Sequence, residues 1–164
     1  MKRGFKMQNI KAVIFDWGWT LFSHELGAEF PEAEEALQHC ASKGYRLALV
    51  SLVTKRYTPD TPRLTRSKQI EESPLRKYFE FVLVTDDESG KDTALEEAVG
   101  RLGIPRSEIL IVDDRTIRGI KYGNQHGHPT IWLQRGKFAQ ELPNEDTGQP
   151  THIIHELKEL ILIL

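Results

Sequence analysis

The sequence predicts an α/β fold: a doubly wound, Rossmann-like parallel sheet of about five strands with helices on both faces. Three observations lead there. Short apolar runs alternate with amphipathic stretches along the chain, and several of those runs end abruptly in Asp, Ser or paired Asp. The chain's 164 residues, 39% hydrophobic and 28% charged, match one ordinary globular domain, long enough to bury about 70% of its unfolded surface.

Taken in order, Met1-Lys2-Arg3-Gly4-Phe5-Lys6-Met7-Gln8 is basic and lacks the apolar stretch of a signal peptide. Residues 1–9 are expected to form a flexible leader and residues 10–164 a single domain. The first strand falls at Lys11–Phe15, with Asp16 directly after it. Ala33, Ala36, Leu37, Cys40 and Ala41 then keep helical spacing until Gly44 stops it. Arg46–Leu52 is the second strand. Thr54–Lys68 carries Lys55, Arg56, Arg63, Arg66 and Lys68 against Asp60, interrupted by Pro59 and Pro62. A solvated helix face explains that stretch more simply than a polyanion-attracting border to the strand ends. Phe79–Thr85 is the third strand. Ala94, Leu95, Ala98, Val99 and Leu102 follow on one helical stripe, started near Asp92 and Thr93 and stopped by Gly103. Glu108–Val112 is the fourth strand, and Ile117 and Ile120 mark a weaker helix diluted by Gly119 and Gly123. Thr130–Gln134 is the fifth. Beyond the polar connector Phe138–Pro150, a last helix is expected to turn Ile153, Ile154, Leu157, Leu160, Ile161 and Leu164 toward the sheet rather than toward a second copy.

A formal net charge of −2 gives no general attraction to nucleic acid or to an anionic membrane. No window approaches the ~18 apolar residues of a membrane span. The single cysteine, Cys40, rules out an internal disulfide and reads as a packed thiol in a reducing compartment. The expected location is cytoplasmic. The histidines His126, His128, His152 and His155 have no zinc-like spacing with Cys or Asp.

The chemistry-bearing residues follow the strands. Asp16 ends the first, Ser51 the second, Lys91 opens the helix after the third, and Asp113-Asp114 end the fourth. Right-handed crossovers bring all of them to one sheet edge, where open α/β sheets bind ligands. A carboxylate nucleophile, a hydroxyl, an ammonium and further carboxylates form a coherent set for phosphoryl transfer. Paired carboxylates also suit Mg²⁺, an oxygen-seeking ion that offsets repulsion between an anionic nucleophile and a phosphate. A nucleotide P-loop is rejected for Gly90-Lys91, because Asp92 and not Ser or Thr follows the lysine.

From about Ile10 onward the chain resembles the haloacid dehalogenase superfamily. Asp16-Trp17-Gly18-Trp19-Thr20 is similar to that family's Asp-x-Asp-x-Thr first motif, Ser51 to its second, Lys91 to its third, and Val112-Asp113-Asp114 to its fourth. Ile131-Trp132-Leu133-Gln134-Arg135-Gly136 and Thr151-His152-Ile153-Ile154 also look typical of it. The resemblance implies Asp16 as catalytic nucleophile, Thr20, Ser51 and Lys91 as phosphate-binding residues, and Mg²⁺ held by Asp16, the Gly18 carbonyl and Asp114. Asp113 and His24 are additional candidates; a surface histidine is the plainer reading of His24.

The departures from the family's pattern are as informative. Gly18 stands where its phosphatases carry the general acid/base, Trp19 where many members have Gly, and Gly119 where a further acid is common. Losing a positioned acid/base costs roughly 10²- to 10⁴-fold in rate, which disfavours alkyl phosphates and spares acyl and aryl phosphates. The short spacings between motifs imply a member without a cap domain, whose open site suits a phosphorylated macromolecule or closure by a protein partner. The alternative is a non-catalytic phosphate- or partner-binding protein of the same fold. A two-component receiver domain has a different order of acids and lysine and is set aside.

Overall fold

A computed structural model describes residues 4–53, 61–86 and 90–164. Lys55, Arg56, Pro59 and Asp60 of the basic segment lie outside them, as do Met1–Arg3. In chain order the elements are β1 (Ala12–Phe15), a hairpin of β2 (Phe22–Ser23) and β3 (Ala28–Glu29), α1 (Ala33–Ser42), β4 (Arg46–Leu52) and α2 (Thr61–Glu71). They continue with β5 (Phe81–Thr85), α3 (Gly90–Leu102), β6 (Ile109–Asp113), a π-turn at Thr116–Ile120 running into α4 (Lys121–His126), β7 (Thr130–Leu133), β8 (His152–Ile154) and α5 (Leu160–Ile163).

The sheet runs β5-β4-β1-β6-β7-β8, and every neighbouring pair in it is parallel. Because side chains alternate along a strand, β1 feeds two cores. Val13 and Phe15 join one that also holds Trp17, Leu37, Cys40, Leu110 and Leu160; Ala12 and Ile14 join the other, with Leu95, Ala98, Ile111 and Tyr122. Such strands are apolar throughout because both faces are covered. Each fully buried Leu or Ile stabilises the fold by about 1.5–3 kcal/mol relative to exposure.

The helices form where apolar spacing and stop signals agree. Ala33, Ala36, Leu37 and Cys40 are all buried on α1, while Ala41, expected on the same stripe, is exposed. Gly44 and Gly103 end α1 and α3 at φ +79° and +64°, the left-handed conformation glycine adopts without steric cost. Ala94, Leu95, Ala98, Val99 and Leu102 are buried on α3 together with Lys91.

The C-terminal segment corrects the sequence expectation. Ile153 and Ile154 do not begin a helix; they lie in β8, a sixth strand paired with β7. Ile154 is buried and Ile153 is 39% exposed, a period of two in place of 3.6. A capping box between Glu156 and Glu159 then starts a short helical segment, whose Leu157, Leu160 and Leu164 pack into the core beside α1. At the other end, the Met7 amide donates to the Ile163 carbonyl at 2.8 Å, and Phe5 stacks on His152. Among the described residues no helix is long and apolar enough to cross a membrane.

Candidate active site

The C-terminal ends of β1, β4 and β6 meet the start of α3 at one edge of the sheet. Asp16 leaves β1 with its amide donating to the Val112 carbonyl at 3.1 Å, which ties it to the end of β6. Its side chain is 12% exposed, and Oδ1 accepts from Lys91 Nζ at 2.8 Å. Lys91 Nζ also donates to the Val50 carbonyl at 3.2 Å and lies 3.5 Å from Asp113 Oδ2. Thr20 Oγ1 reaches Asp16 Oδ2 at 3.1 Å and Asp114 Oδ1 at 3.4 Å, so this hydroxyl lies between two carboxylates.

The two acids after β6 have different surroundings. Asp113 accepts from the Arg115 amide at 2.9 Å through Oδ1 and from the Gly119 amide at 3.0 Å through Oδ2, which knits the turn and steadies Lys91. Asp114 Oδ2 is buried with no hydrogen-bond partner. The Asp114 carbonyl accepts from Trp132 Nε1 at 2.9 Å, so a core tryptophan fixes this loop from β7. One ligand oxygen from each of Asp16, Asp113 and Asp114 lies within 4.8 Å of the others, a group that could hold a metal ion. A buried carboxylate oxygen without a partner carries a desolvation cost that a cation relieves, so these residues fit one.

The electrostatics follow from that crowding. Burial works to raise the Asp16 carboxyl, but the Lys91 ammonium outweighs it and holds Asp16 below the ordinary carboxylate range. Asp113 is raised by burial. Asp114 is raised much further, by burial and then by the charges of Asp16 and Asp113. Burial works to lower Lys91, yet the carboxylates of Asp113 and Asp16 keep it above its usual value and therefore charged.

Gly18 occupies an unusual position. A Cβ added there would lie 2.9 Å from His24 Nε2 and 3.6 and 3.7 Å from the two terminal nitrogens of Arg66. His24 is exposed, and Nε2 is the ring atom that faces the space beside Gly18. It is held edge-on by Trp19 and by Phe22, each with ring centroids 5.5 Å away. Partial burial, and then Arg66, depress its pKa below the ordinary histidine value. Arg66, half-buried on α2, donates from Nη1 to Ser51 Oγ at 2.8 Å. Trp19 adopts φ +62°, costly for any residue with a Cβ, and lies against Gly136, where an added Cβ would meet its Cε3 at 3.2 Å. Trp17, by contrast, is fully buried, stacked on Phe22 with Nε1 bonded to Gln69, and belongs to the core.

Over residues 2–133 the sequence matches the family described as haloacid dehalogenase-like hydrolase. The chain belongs to that family. Among curated proteins, it is 25% identical over 139 residues to one named glyceraldehyde 3-phosphate phosphatase from Pyrococcus furiosus, covering 83% of this chain and 54% of that one. It is 23% identical over 137 residues to the protein of the same name from Methanopyrus kandleri, covering 80% and 54%. The chain thus spans about half the length of the curated relatives it matches. Its fold is shared with an uncharacterized protein from Listeria monocytogenes (TM-score 0.70, 18% identity, 93% and 95% of the two chains). It is also shared with a protein described as a HAD phosphatase from Thermococcus onnurineus (TM-score 0.68, 17% identity, 92% and 96%).

Of the residues singled out from sequence, Asp16, Thr20, Ser51, Lys91, Asp113 and Asp114 converge at this edge, with the Gly18 backbone and His24 at its mouth. For Arg66 the plainer sequence reading, a solvated helix face, is corrected by its hydrogen bond to Ser51; His24 is exposed, as a surface histidine is, with Nε2 the atom nearest the space beside Gly18. Arg66 is fifteen positions beyond Ser51, and only the path of the intervening chain decides which way its helix faces. The Gly119 position, read as a missing acid, has a different role: an added Cβ would come within 2.8 Å of Asp113 Cβ and closer still to Oδ2. Glycine there lets the amide reach that carboxylate.

Proposed function

We propose that this chain is a Mg²⁺-dependent phosphohydrolase or phosphotransferase that forms an aspartyl-phosphate at Asp16, within an open site lacking a cap domain. The observation that carries this reading is the pairing of Asp16 with Lys91 beside Asp114, whose Oδ2 is buried and unpartnered. Lys91 keeps Asp16 ionised, as a nucleophile must be, and Ser51 and Lys91 offer donors for phosphoryl oxygens. Thr20 holds the Asp16 carboxylate from its other oxygen. Asp16, Asp114 and the Gly18 carbonyl are the groups that would hold Mg²⁺. That ion, when bound, screens the charge of an incoming phosphate dianion.

Gly18 sets the limits of the reaction. No carboxylic acid stands at that position to protonate a departing alkoxide, so alkyl phosphates such as glyceraldehyde 3-phosphate should react slowly. Leaving groups that need no proton should react best. The same replacement is what favours the second reading, a non-catalytic phosphate- or partner-binding protein, and the open edge leaves room for a macromolecular substrate or a closing partner under either one.

The test is turnover of aryl and acyl phosphates with and without Mg²⁺, for the natural chain beside Asp16→Asn and Asp114→Asn, with Mg²⁺ binding measured by calorimetry. Activity that requires Mg²⁺ and is lost in Asp16→Asn is expected, with Mg²⁺ affinity weakened at least tenfold in Asp114→Asn. Mg²⁺ binding without turnover would leave the binding-protein reading in its place. Neither turnover nor Mg²⁺ binding would remove the metal-dependent phosphoryl reading altogether.

A further inference from the structure

Resting on that functional reading, we propose that Arg66 and His24 form a leaving-group subsite that selects acyl phosphates, by holding the carboxylate that departs. The observation is the inversion of chemistry beside Gly18. The volume a side chain would fill there is bordered by a guanidinium and an imidazole nitrogen, at 3.6, 3.7 and 2.9 Å. Among the described residues Arg66 forms no ion pair with a carboxylate, and its hydrogen bond goes to the Ser51 hydroxyl. The guanidinium therefore bridges the fully buried Ser51, at the floor, and the partly exposed space above Gly18. Gly18 lies two residues beyond Asp16, so in this subsite the fourth substituent of a phosphoryl group held between Asp16, Ser51 and Lys91 would enter that space.

The donors match one kind of leaving group. Arg66 cannot surrender a proton near neutral pH, so it stabilises charge and does not act as an acid. Its planar fork pairs with a carboxylate through two parallel hydrogen bonds. A carboxylic acid has a pKa near 4, so the carboxylate leaves without being protonated. A carboxylate side chain at position 18 would repel it, and glycine removes that repulsion. A phosphate leaving group would bring two charges against one cation, which favours the carboxylate.

The step balances without an external acid. An Asp16 carboxylate oxygen forms a bond to phosphorus as the bond from phosphorus to the acyl oxygen breaks, and the electron pair leaves on the carboxylate. Water then attacks phosphorus, the bond to Asp16 breaks with its electron pair returning to the carboxylate, and both water protons leave on dihydrogen phosphate.

The experiment compares kcat/KM for acetyl phosphate, p-nitrophenyl phosphate and pyrophosphate, with Mg²⁺, in the natural chain and in Arg66→Met, Arg66→Lys and His24→Ala. Thermal unfolding checks that each variant is folded. A charge-assisted bidentate contact accounts for about ten- to a hundredfold. Arg66→Met should therefore lower acetyl phosphate turnover by that factor relative to p-nitrophenyl phosphate. Arg66→Lys should restore part of the loss, and His24→Ala should give a smaller loss in the same direction. Equal losses on both substrates would overturn the subsite and leave Arg66 as a support for Ser51 alone. Arg66-dependent turnover of pyrophosphate in preference to acetyl phosphate would overturn the carboxylate assignment. Absence of all turnover in the natural chain would overturn the functional reading and the subsite with it.

Discussion

Placing a carboxylate at residue 18 restores the group that the family's phosphatases use as acid, and the structure determines how much that change alone can achieve. The Cβ of Gly18→Asp would lie 2.9 Å from His24 Nε2, inside van der Waals contact. The exposed His24 ring can move aside only by giving up its edge-on contacts with Trp19 and Phe22. Arg66, with nitrogens 3.6 and 3.7 Å from the same Cβ, would pair with the new carboxylate and loosen its bond to Ser51. Gly18→Asp alone should therefore change turnover of an alkyl phosphate by no more than about threefold, far below the ~10²-fold or more of a positioned acid. Gly18→Asp with His24→Ala vacates the imidazole. It should raise kcat at least about tenfold, roughly 1.4 kcal/mol of barrier, with Arg66 still competing for the carboxylate. The assay is steady-state release of phosphate from glycerol phosphate by the natural chain, both single variants and the double. A gain in Gly18→Asp equal to that of the double variant would refute the steric argument. A gain in His24→Ala alone would show that the imidazole, and not the missing acid, limits the reaction.

Other expectations follow from the same packing. Gly119→Ala should destabilise the fold by about 1–3 kcal/mol, read as a lower urea midpoint, because its Cβ would press on Asp113. Cys40 should stay unreactive toward thiol reagents at pH 8 until the chain unfolds, since burial pushes its thiol up to about 12. On the opposite edge, hydrogen bonds from Arg106 and then from Tyr122 hold Glu96 down at about 2, against an ordinary value of 4.5. A depressed carboxyl contributes stability that is present above its unfolded pKa and lost as pH falls through its folded one. The stability difference between the natural chain and Glu96→Gln should therefore be full at pH 6 and fade between pH 4.5 and 2, as followed by chemical denaturation at each pH.

Much of the fold was legible in the linear chain. Arg46–Leu52 and Thr130–Leu133 are strands because they are continuous apolar runs with β-branched content, and α1 and α3 are helices because buried Ala and Leu recur at helical spacing before a glycine. The edge strand β8 was not, because Ile153, Ile154, Leu157 and Leu160 satisfy a helical period as well as a short strand followed by a turn. Pairing with β7, a contact about twenty residues away, decides between them.

The candidate site residues could be picked out from sequence for a simple reason. Parallel strands joined by right-handed crossovers must deliver whatever follows each strand to the same edge, so Asp16, Ser51, Lys91 and Asp113-Asp114 had only one place to meet. Which of those acids is spent on hydrogen bonds and which is left open depended on amides from Arg115 and Gly119, and no spacing rule contains them. The neighbours of Gly18 were likewise decided only in three dimensions. A hairpin turned His24 back over the first motif and a helix face aimed Arg66 at Ser51, since side-chain direction depends on packing rather than on position in the chain.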